Sequence, residues 1–371
     1  MATVRQLRVL FVFRRNRAEW LRMWRAGKGS SEFLYGLPYL DTSRFDVGFV
    51  EGDDTSRQLR QRLCAPLEKR LSAHVGIGFG FHIALTHWRQ LRDADLVIST
   101  VDTCGLPLAM LKNLGLLHQP LLYISQGLAH RMRALALDKA VNRAIFSAYR
   151  RFLHSADRVL VLGDGAVAPL ADLFQLPPER IAAIPFGTDV DFWHPAAEVG
   201  DDGSILSVGS DPARDYVTLL RAANGRSLRI ATRLSLPKDM VSEAVRIGSD
   251  HTQVELRGLY QRASFVVTPL HDVDQPSGQS ATLQAMACGK AVVLTRTKGL
   301  WEPDFMQHME TCYLVEPGDV AGLAAAMAFL EAHPDERRRI GSAARQLVEQ
   351  RYSARIFAQQ LELHVRQLLA W

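Results

Sequence analysis

Gln275-Pro276-Ser277-Gly278-Gln279-Ser280-Ala281-Thr282-Leu283-Gln284-Ala285-Met286-Ala287-Cys288-Gly289-Lys290-Ala291-Val292-Val293 decides how this chain is read. A polar turn, Ser277 to Ser280, enters a short helix. The helix stops at Gly289 and hands on to a buried strand. A helix N-terminus with a glycine in front of it presents backbone N–H groups that lack acceptors, and such a mouth binds anions. The apolar run Phe265–Leu270 precedes it, so the turn is expected at the carboxyl end of a sheet strand, where open α/β sheets hold ligands. Phosphate or diphosphate is the anion that fits.

Outward from this stretch, short apolar runs alternate with helical patterns. Leu7–Phe13, Phe45–Val50, Leu96–Thr100, Leu121–Ser125 and Val159–Leu162 read as strands of a first sheet, with Gly105–Leu116 and Asp138–Phe152 as helices between them. A second series comprises strands Ile181–Ile184, Ser204–Gly209, Leu228–Ala231, Ser264–Pro269 and Ala291–Thr295, with helices Asp215–Ala223, Ala281–Ala287 and Asp319–Ala332. This alternation predicts an α/β protein of two doubly wound parallel-sheet domains. The length of 371 residues supports two cores. Prolines 169, 177, 178, 185 and 195 cluster where the domains should meet. The expected division is 1–175, 176–350 and a terminal helix over 351–371 that packs back on the first domain.

Composition is that of a globular protein, and no apolar run reaches the length of a membrane span. The run after the N-terminus is too short for a signal segment, so a cytoplasmic protein, soluble or peripheral on a membrane, is expected. Cys64, Cys104, Cys288 and Cys312 are scattered, without disulfide or metal-ligand spacing, and there is no aspartate-rich metal motif. No metal and no cofactor are therefore expected. The net charge of +5 is carried almost wholly by arginine. Arginine suits bidentate contact with phosphate, whether on a nucleotide, an anionic lipid surface or a nucleic acid.

Three further segments join the first. Ile184–Pro195 is a turn rich in glycine and aspartate that closes on Phe192-Trp193-His194-Pro195. Ser207–Tyr216 is a strand running through Gly209 and Ser210 to Arg214 ahead of a helix. Glu316-Pro317-Gly318-Asp319 opens another helix, with Asp319 as its cap. In this order and spacing the four segments resemble glycosyltransferases of family 4, over the whole C-terminal half and in outline over the N-terminal half. The resemblance implies a GT-B fold, with two Rossmann-like domains and a cleft between them, and a retaining, metal-independent transfer from a nucleotide diphosphate sugar to a hydroxyl acceptor. It also implies site residues. Arg214 stands where the family has a diphosphate-gripping lysine, while Ser210 replaces the family's arginine after Gly209. Gly187 is placed beside the substrate. Ser277, Gly278, Gln279 and Ser280 hold the diphosphate through the turn. The family's glutamate pair is replaced by Pro276 and Gln284, of which Gln284 retains the ability to hydrogen-bond a ribose hydroxyl.

The N-terminal half carries weaker signals. Asp102, past the third strand, and His130, after Ile124-Ser125-Gln126-Gly127, are candidates for acceptor-side catalysis, each also readable as a structural residue. Family members often have a histidine where Gln126 stands. Asp189 and Asp191 read as turn formers. Gly76-Ile77-Gly78-Phe79-Gly80 lacks the dinucleotide fingerprint and reads as a turn, with the acceptor side as one place for it. Arg14 to Gly29 interleaves basic and aromatic residues. It suits an anionic membrane surface, an acceptor loop, or a solvated helix with its tryptophans packed inward. A lipid-linked acceptor, a glycan and a small molecule all stay open. Two rival readings are a non-catalytic sugar-nucleotide binder, motivated by the replaced glutamates, and a nucleic-acid-binding or DNA-modifying protein. The latter is weakened by the absence of a known basic module.

Overall fold

A computed structural model describes residues 6–52, 59–196 and 198–370. The chain forms two compact units. The first holds the described residues up to Glu19, Leu34–Ile184 and those from Phe357 onward; the second holds Trp20–Phe33 and Pro185–Ile356. Each is built on a six-stranded, wholly parallel sheet.

In the first unit the strands are β1 (Leu7–Phe13), β2 (Phe45–Glu51), β3 (Leu96–Ser99), β4 (Leu121–Ser125), β5 (Arg158–Val161) and β6 (Ile181–Ala183), in the order β2-β1-β3-β4-β5-β6. In the second they are β7 (Ile205–Val208), β8 (Leu228–Ala231), β9 (Val245–Gly248), β10 (Phe265–Thr268), β11 (Val292–Thr295) and β12 (Tyr313–Val315), in the order β12-β11-β10-β7-β8-β9. The central strands are buried along their whole length, β3, β4, β10 and β11 among them. Helices on both faces of a parallel sheet require such uninterrupted apolar runs. The second order is the doubly wound arrangement 3-2-1-4-5-6. Each sheet therefore has one point where the winding reverses. It lies between β1 and β3 in the first unit and between β7 and β10 in the second, and loops leaving those strands diverge to form a crevice.

Three features depart from the sequence reading. Ile181–Ile184 does not open the second sheet. β6 pairs with β5, Val159 opposite Ile181, so the units divide at Ile184/Pro185 instead of 175/176. β9 and β12 are strands that the apolar pattern did not show. Trp20–Phe33, expected in the first domain, belongs to the second unit. The terminal helix, Ala354–Leu368, lies in the first unit from Phe357 on, with the Phe357 ring 6.4 Å from that of Tyr35. Among the described residues no helix is long and apolar enough to cross a membrane.

The helix Pro334–Arg351 buttresses the helix Gln279–Ala287. Arg345 Nη1 donates to the carbonyls of Ala287 at 2.6 Å and Trp193 at 2.8 Å, satisfying acceptors at a helix C-terminus. The two helices approach so closely that a Cβ on Gly341 would lie 2.3 Å from the Gly289 carbonyl oxygen. Backbone cannot step aside as a side chain can. Gly341→Ala is expected to lower stability by about 1–3 kcal/mol, the usual cost of overpacking. Urea melts check this, and an unchanged midpoint would refute the close approach.

Candidate functional site

The second unit's reversal point is held by backbone. After β7, Gly209 adopts φ +145°, a conformation suited to glycine. The chain then folds so that residues 213–215 zip onto 269–271, past the end of β10. The Asp215 N–H donates to Pro269 O at 3.1 Å and the His271 N–H to Ala213 O at 2.9 Å, around an antiparallel bridge between Arg214 and Leu270. Asp215 caps the next helix, Tyr216–Ala223, accepting from the Thr218 N–H at 3.0 Å.

This zip fixes Arg214, whose side chain is 6% exposed. Its Nε and Nη1 have no hydrogen-bond partner among the described residues. A Cβ on Gly209 would fall 2.1 Å from Nε, and one on Gly278 would fall 2.7 Å from Nη1. The guanidinium thus lies between two loops that can approach it only because they carry glycine there. Burial lowers its pKa, and only Tyr216, Tyr260 and Asp211 oppose that shift. A buried cation with unused donors is costly unless an anion meets it.

The expected helix mouth is beside it. Gly278, at φ 76° and ψ −8°, opens the helix Gln279–Ala287, and no side chain caps that end. Ser277 and Gln279 are buried, and Gln279 Nε2 is without a partner among the described residues. Uncapped N–H groups and the helix dipole add positive potential.

Gln284 sits one turn further in and is engaged on both ends. Its Nε2 donates to Glu32 Oε1 at 2.9 Å and to Ser280 Oγ at 3.3 Å, and its Oε1 accepts from Tyr260 Oη at 3.2 Å. Glu32 is buried. It also accepts from Trp193 Nε1 at 2.9 Å and from the Asp189 N–H at 3.3 Å. Asp189 in turn accepts from the N–H and hydroxyl of Ser31, and from the N–H groups of Asp191 and Phe192. Asp189 is therefore the turn former that its sequence context suggested. Glu32, Trp193 and Tyr260 were not singled out in the sequence. The contact between Glu32 and Gln284 spans 252 positions, and no local pattern announces it.

The family model described as Glycosyltransferase Family 4 matches residues 40–192, and that described as Glycosyl transferases group 1 matches residues 216–333. The chain belongs to the family 4 glycosyltransferases. Among curated relatives, N-acetyl-alpha-D-glucosaminyl L-malate synthase of Bacillus anthracis is 35% identical over 80 residues, 22% of this chain and 20% of that protein. D-inositol 3-phosphate glycosyltransferase of Thermobispora bispora is 26% identical over 214 residues, 48% of this chain and 49% of that protein. The chain thus spans less than half the length of either. Sucrose-phosphate synthase from Thermosynechococcus elongatus has the same fold at TM-score 0.72 and 16% identity, over 98% of this chain and 100% of that one. Anabaena HepE, solved in complex with UDP, matches at TM-score 0.64 and 14% identity, over 97% of this chain and 100% of that one. The fold of two Rossmann-like α/β domains is GT-B.

The other residues singled out from sequence are more dispersed. Gly187 is buried in the loop after β6, next to Thr188, which exchanges hydrogen bonds with Tyr352 and Ala354. Ser210 Oγ accepts from the Arg233 N–H at 2.8 Å. Asp102 begins the helix Asp102–Asn113 and is 6% exposed. Its carboxylate accepts from Tyr123 Oη at 2.7 Å, Ser125 Oγ at 2.9 Å and the Gln126 N–H at 3.1 Å. Burial raises its pKa, and these donors counter the shift. With both oxygens taken, Asp102 ties the end of β4 to the helix after β3. His130 is half-buried in the helix Leu128–Arg133. Within Arg14–Gly29 a helix runs Arg17–Arg25 with Leu21 buried, and Trp20 meets Phe33 edge-on at 5.2 Å.

Burial raises the Glu32 carboxyl above its ordinary 4.5, while hydrogen bonds from Ser30, Trp193 and Gln284 pull it down. The folded protein then holds this proton more tightly than the unfolded chain does. Its stabilising contribution is complete below pH 4.5 and disappears as pH climbs through the raised value. Urea melts at several pH values should show the stability of wild type relative to Glu32→Gln falling from pH 4.5 towards neutrality. A flat difference would show that Glu32 does not titrate in this way.

Proposed function

We propose that the chain is a retaining glycosyltransferase that moves a sugar from a nucleotide diphosphate sugar to a hydroxyl acceptor without a metal ion. One observation carries this reading: the buried guanidinium of Arg214, with Nε and Nη1 unpartnered among the described residues, lies between Gly209 and Gly278 where the second sheet reverses. Planar, permanently charged and forked, it matches two oxygens of a diphosphate. The N–H groups at the start of the helix Gln279–Ala287 supply further donors.

In this mechanism the bond between the sugar's anomeric carbon and the donor's phosphate oxygen breaks, and negative charge grows on the leaving diphosphate. Arg214 and the helix mouth stabilise that charge and are positioned before it forms. The acceptor oxygen attacks the anomeric carbon from the face the diphosphate leaves, so configuration is retained. The acceptor's proton passes to a departing phosphate oxygen, which balances the step without a protein base. Gly187 belongs to this reading as a lining position, and Gln284 as the fixed floor of the nucleotide's ribose pocket. A second reading, binding without turnover, draws on one observation: the Gln284 amide is already engaged by Glu32, Ser280 and Tyr260.

UDP-, GDP- and ADP-glucose hydrolysis separates the two. Wild type should turn over one of them, with or without EDTA, and NMR of a transfer product should show the donor's anomeric configuration. Arg214→Ala should cut kcat by about 10²–10³-fold, the scale of losing a preorganised donor to a developing anion. Equal rates would remove Arg214 from the mechanism, and binding with no turnover across the panel would favour the second reading. Gly209→Ala keeps the charge but puts a methyl where Nε lies, 2.1 Å from the added Cβ, so donor affinity should fall with it.

A further inference from the structure

The first unit holds a separate cavity of about 340 Å³ at the carboxyl ends of β1, β2 and β3. Arg14 and Arg15 follow β1, Gly52 follows β2, and Thr103 follows β3, so the cavity sits at the point where that sheet's winding reverses. This is where doubly wound sheets receive ligands, and the volume suits a small molecule. The wall formed by Gly78 to Gly80 lies close over Thr103. A Cβ on Gly78 would come within 2.9 Å of Thr103 Oγ1, so the missing side chain is what permits the approach.

The lining is cationic. Arg14, Arg15 and Lys69 are all in it. Arg14 and Lys69 have no side-chain hydrogen bond or ion pair among the described residues. Glu68, the one carboxylate among the described lining residues, is already occupied. It accepts from the His82 N–H at 2.7 Å and faces His82 Nδ1 at 2.9 Å. In the neutral ring, a proton on Nδ1 directed at Glu68 leaves Nε2 as a hydrogen-bond acceptor. The cavity therefore combines unspent positive charge with groups able to bind a hydroxyl, namely His82 and Thr103.

We infer that this cavity binds a small hydroxylated molecule carrying a carboxylate or phosphate group, held through that anion by Arg14 and Lys69. Resting on the proposed function, the molecule is the sugar acceptor. Arg14 and Lys69 grip the anion and leave a hydroxyl near His82 and Thr103.

Calorimetry on the full chain tests this with glycerol 3-phosphate, glycerate and glycerol, which share a scaffold and differ in charge. One of the two anions should bind and glycerol should not; the one that binds identifies the group as phosphate or carboxylate. Arg14→Gln and Lys69→Gln should each weaken that binding by about tenfold, the scale of one charged hydrogen bond, and should leave UDP affinity unchanged. Anions binding no better than glycerol would overturn the inference, as would wild-type affinity in the double variant. If the anion binds and responds to both substitutions while no sugar nucleotide is bound or consumed, the cavity stands and the transferase reading falls.

Discussion

A charge taken out of water sets the terms for the second unit. Arg214 is almost wholly buried, and its guanidinium uses neither Nε nor Nη1 within the described protein. Left alone, such a group costs several kcal/mol, or about as much as a small domain can spare. The surrounding chain is arranged to hold it there. The backbone bridge to Leu270 prevents the stem from swinging outward, and glycines at 209 and 278 keep the two faces of the guanidinium clear. Relaxing any of these would ease the burial cost. Their joint presence makes sense when the cost is offset by an anion, which ties the stability of this corner to its chemistry.

Position 284 shows the same economy of charge. The family resemblance implies a glutamate there, yet the chain carries glutamine. Glu32 explains why that is tolerable. Its carboxylate lies 2.9 Å from the Gln284 amide nitrogen, within a buried ring of donors that includes Trp193. A glutamate at 284 would bring two buried carboxylates into contact, and one would have to take up a proton. An amide donates instead, so every partner is satisfied. A carboxyl group is still present at this place, but a different segment supplies it, from beyond the helix Arg17–Arg25.

Much of the fold was legible because parallel strands buried on both faces must be apolar throughout. β1, β3, β4, β10 and β11 announce themselves in this way. β9 and β12 sit at the sheet's edges: β9 has two exposed central residues and β12 has three residues in all, so neither carries a continuous apolar run. The run at Ile181 was visible as a strand, but which sheet it joins is a pairing choice that periodicity does not encode. At the site, Gly209, Arg214 and Gly278 were legible because turn and helix-start chemistry is local. Glu32 was not, since its environment is assembled from residues near 189, 193 and 284. Asp102 was recognised by position alone; that its oxygens are taken up by Tyr123, Ser125 and Gln126 depends on β4 lying beside β3.

Both sheets reverse direction once, and the reversal creates a crevice whatever residues line it. What the loops contribute then decides the chemistry. In the second unit the loops after β7 and β10 bring a guanidinium and free amides, which suits a strong anion and little else. In the first unit the loop after β3 brings two neighbours that face different tasks. Asp102 turns to β4 and is consumed in holding Gln126, while Thr103 lines the cavity with the cations after β1. Successive helix positions point about 100° apart, so one residue can brace the sheet while the next meets a ligand.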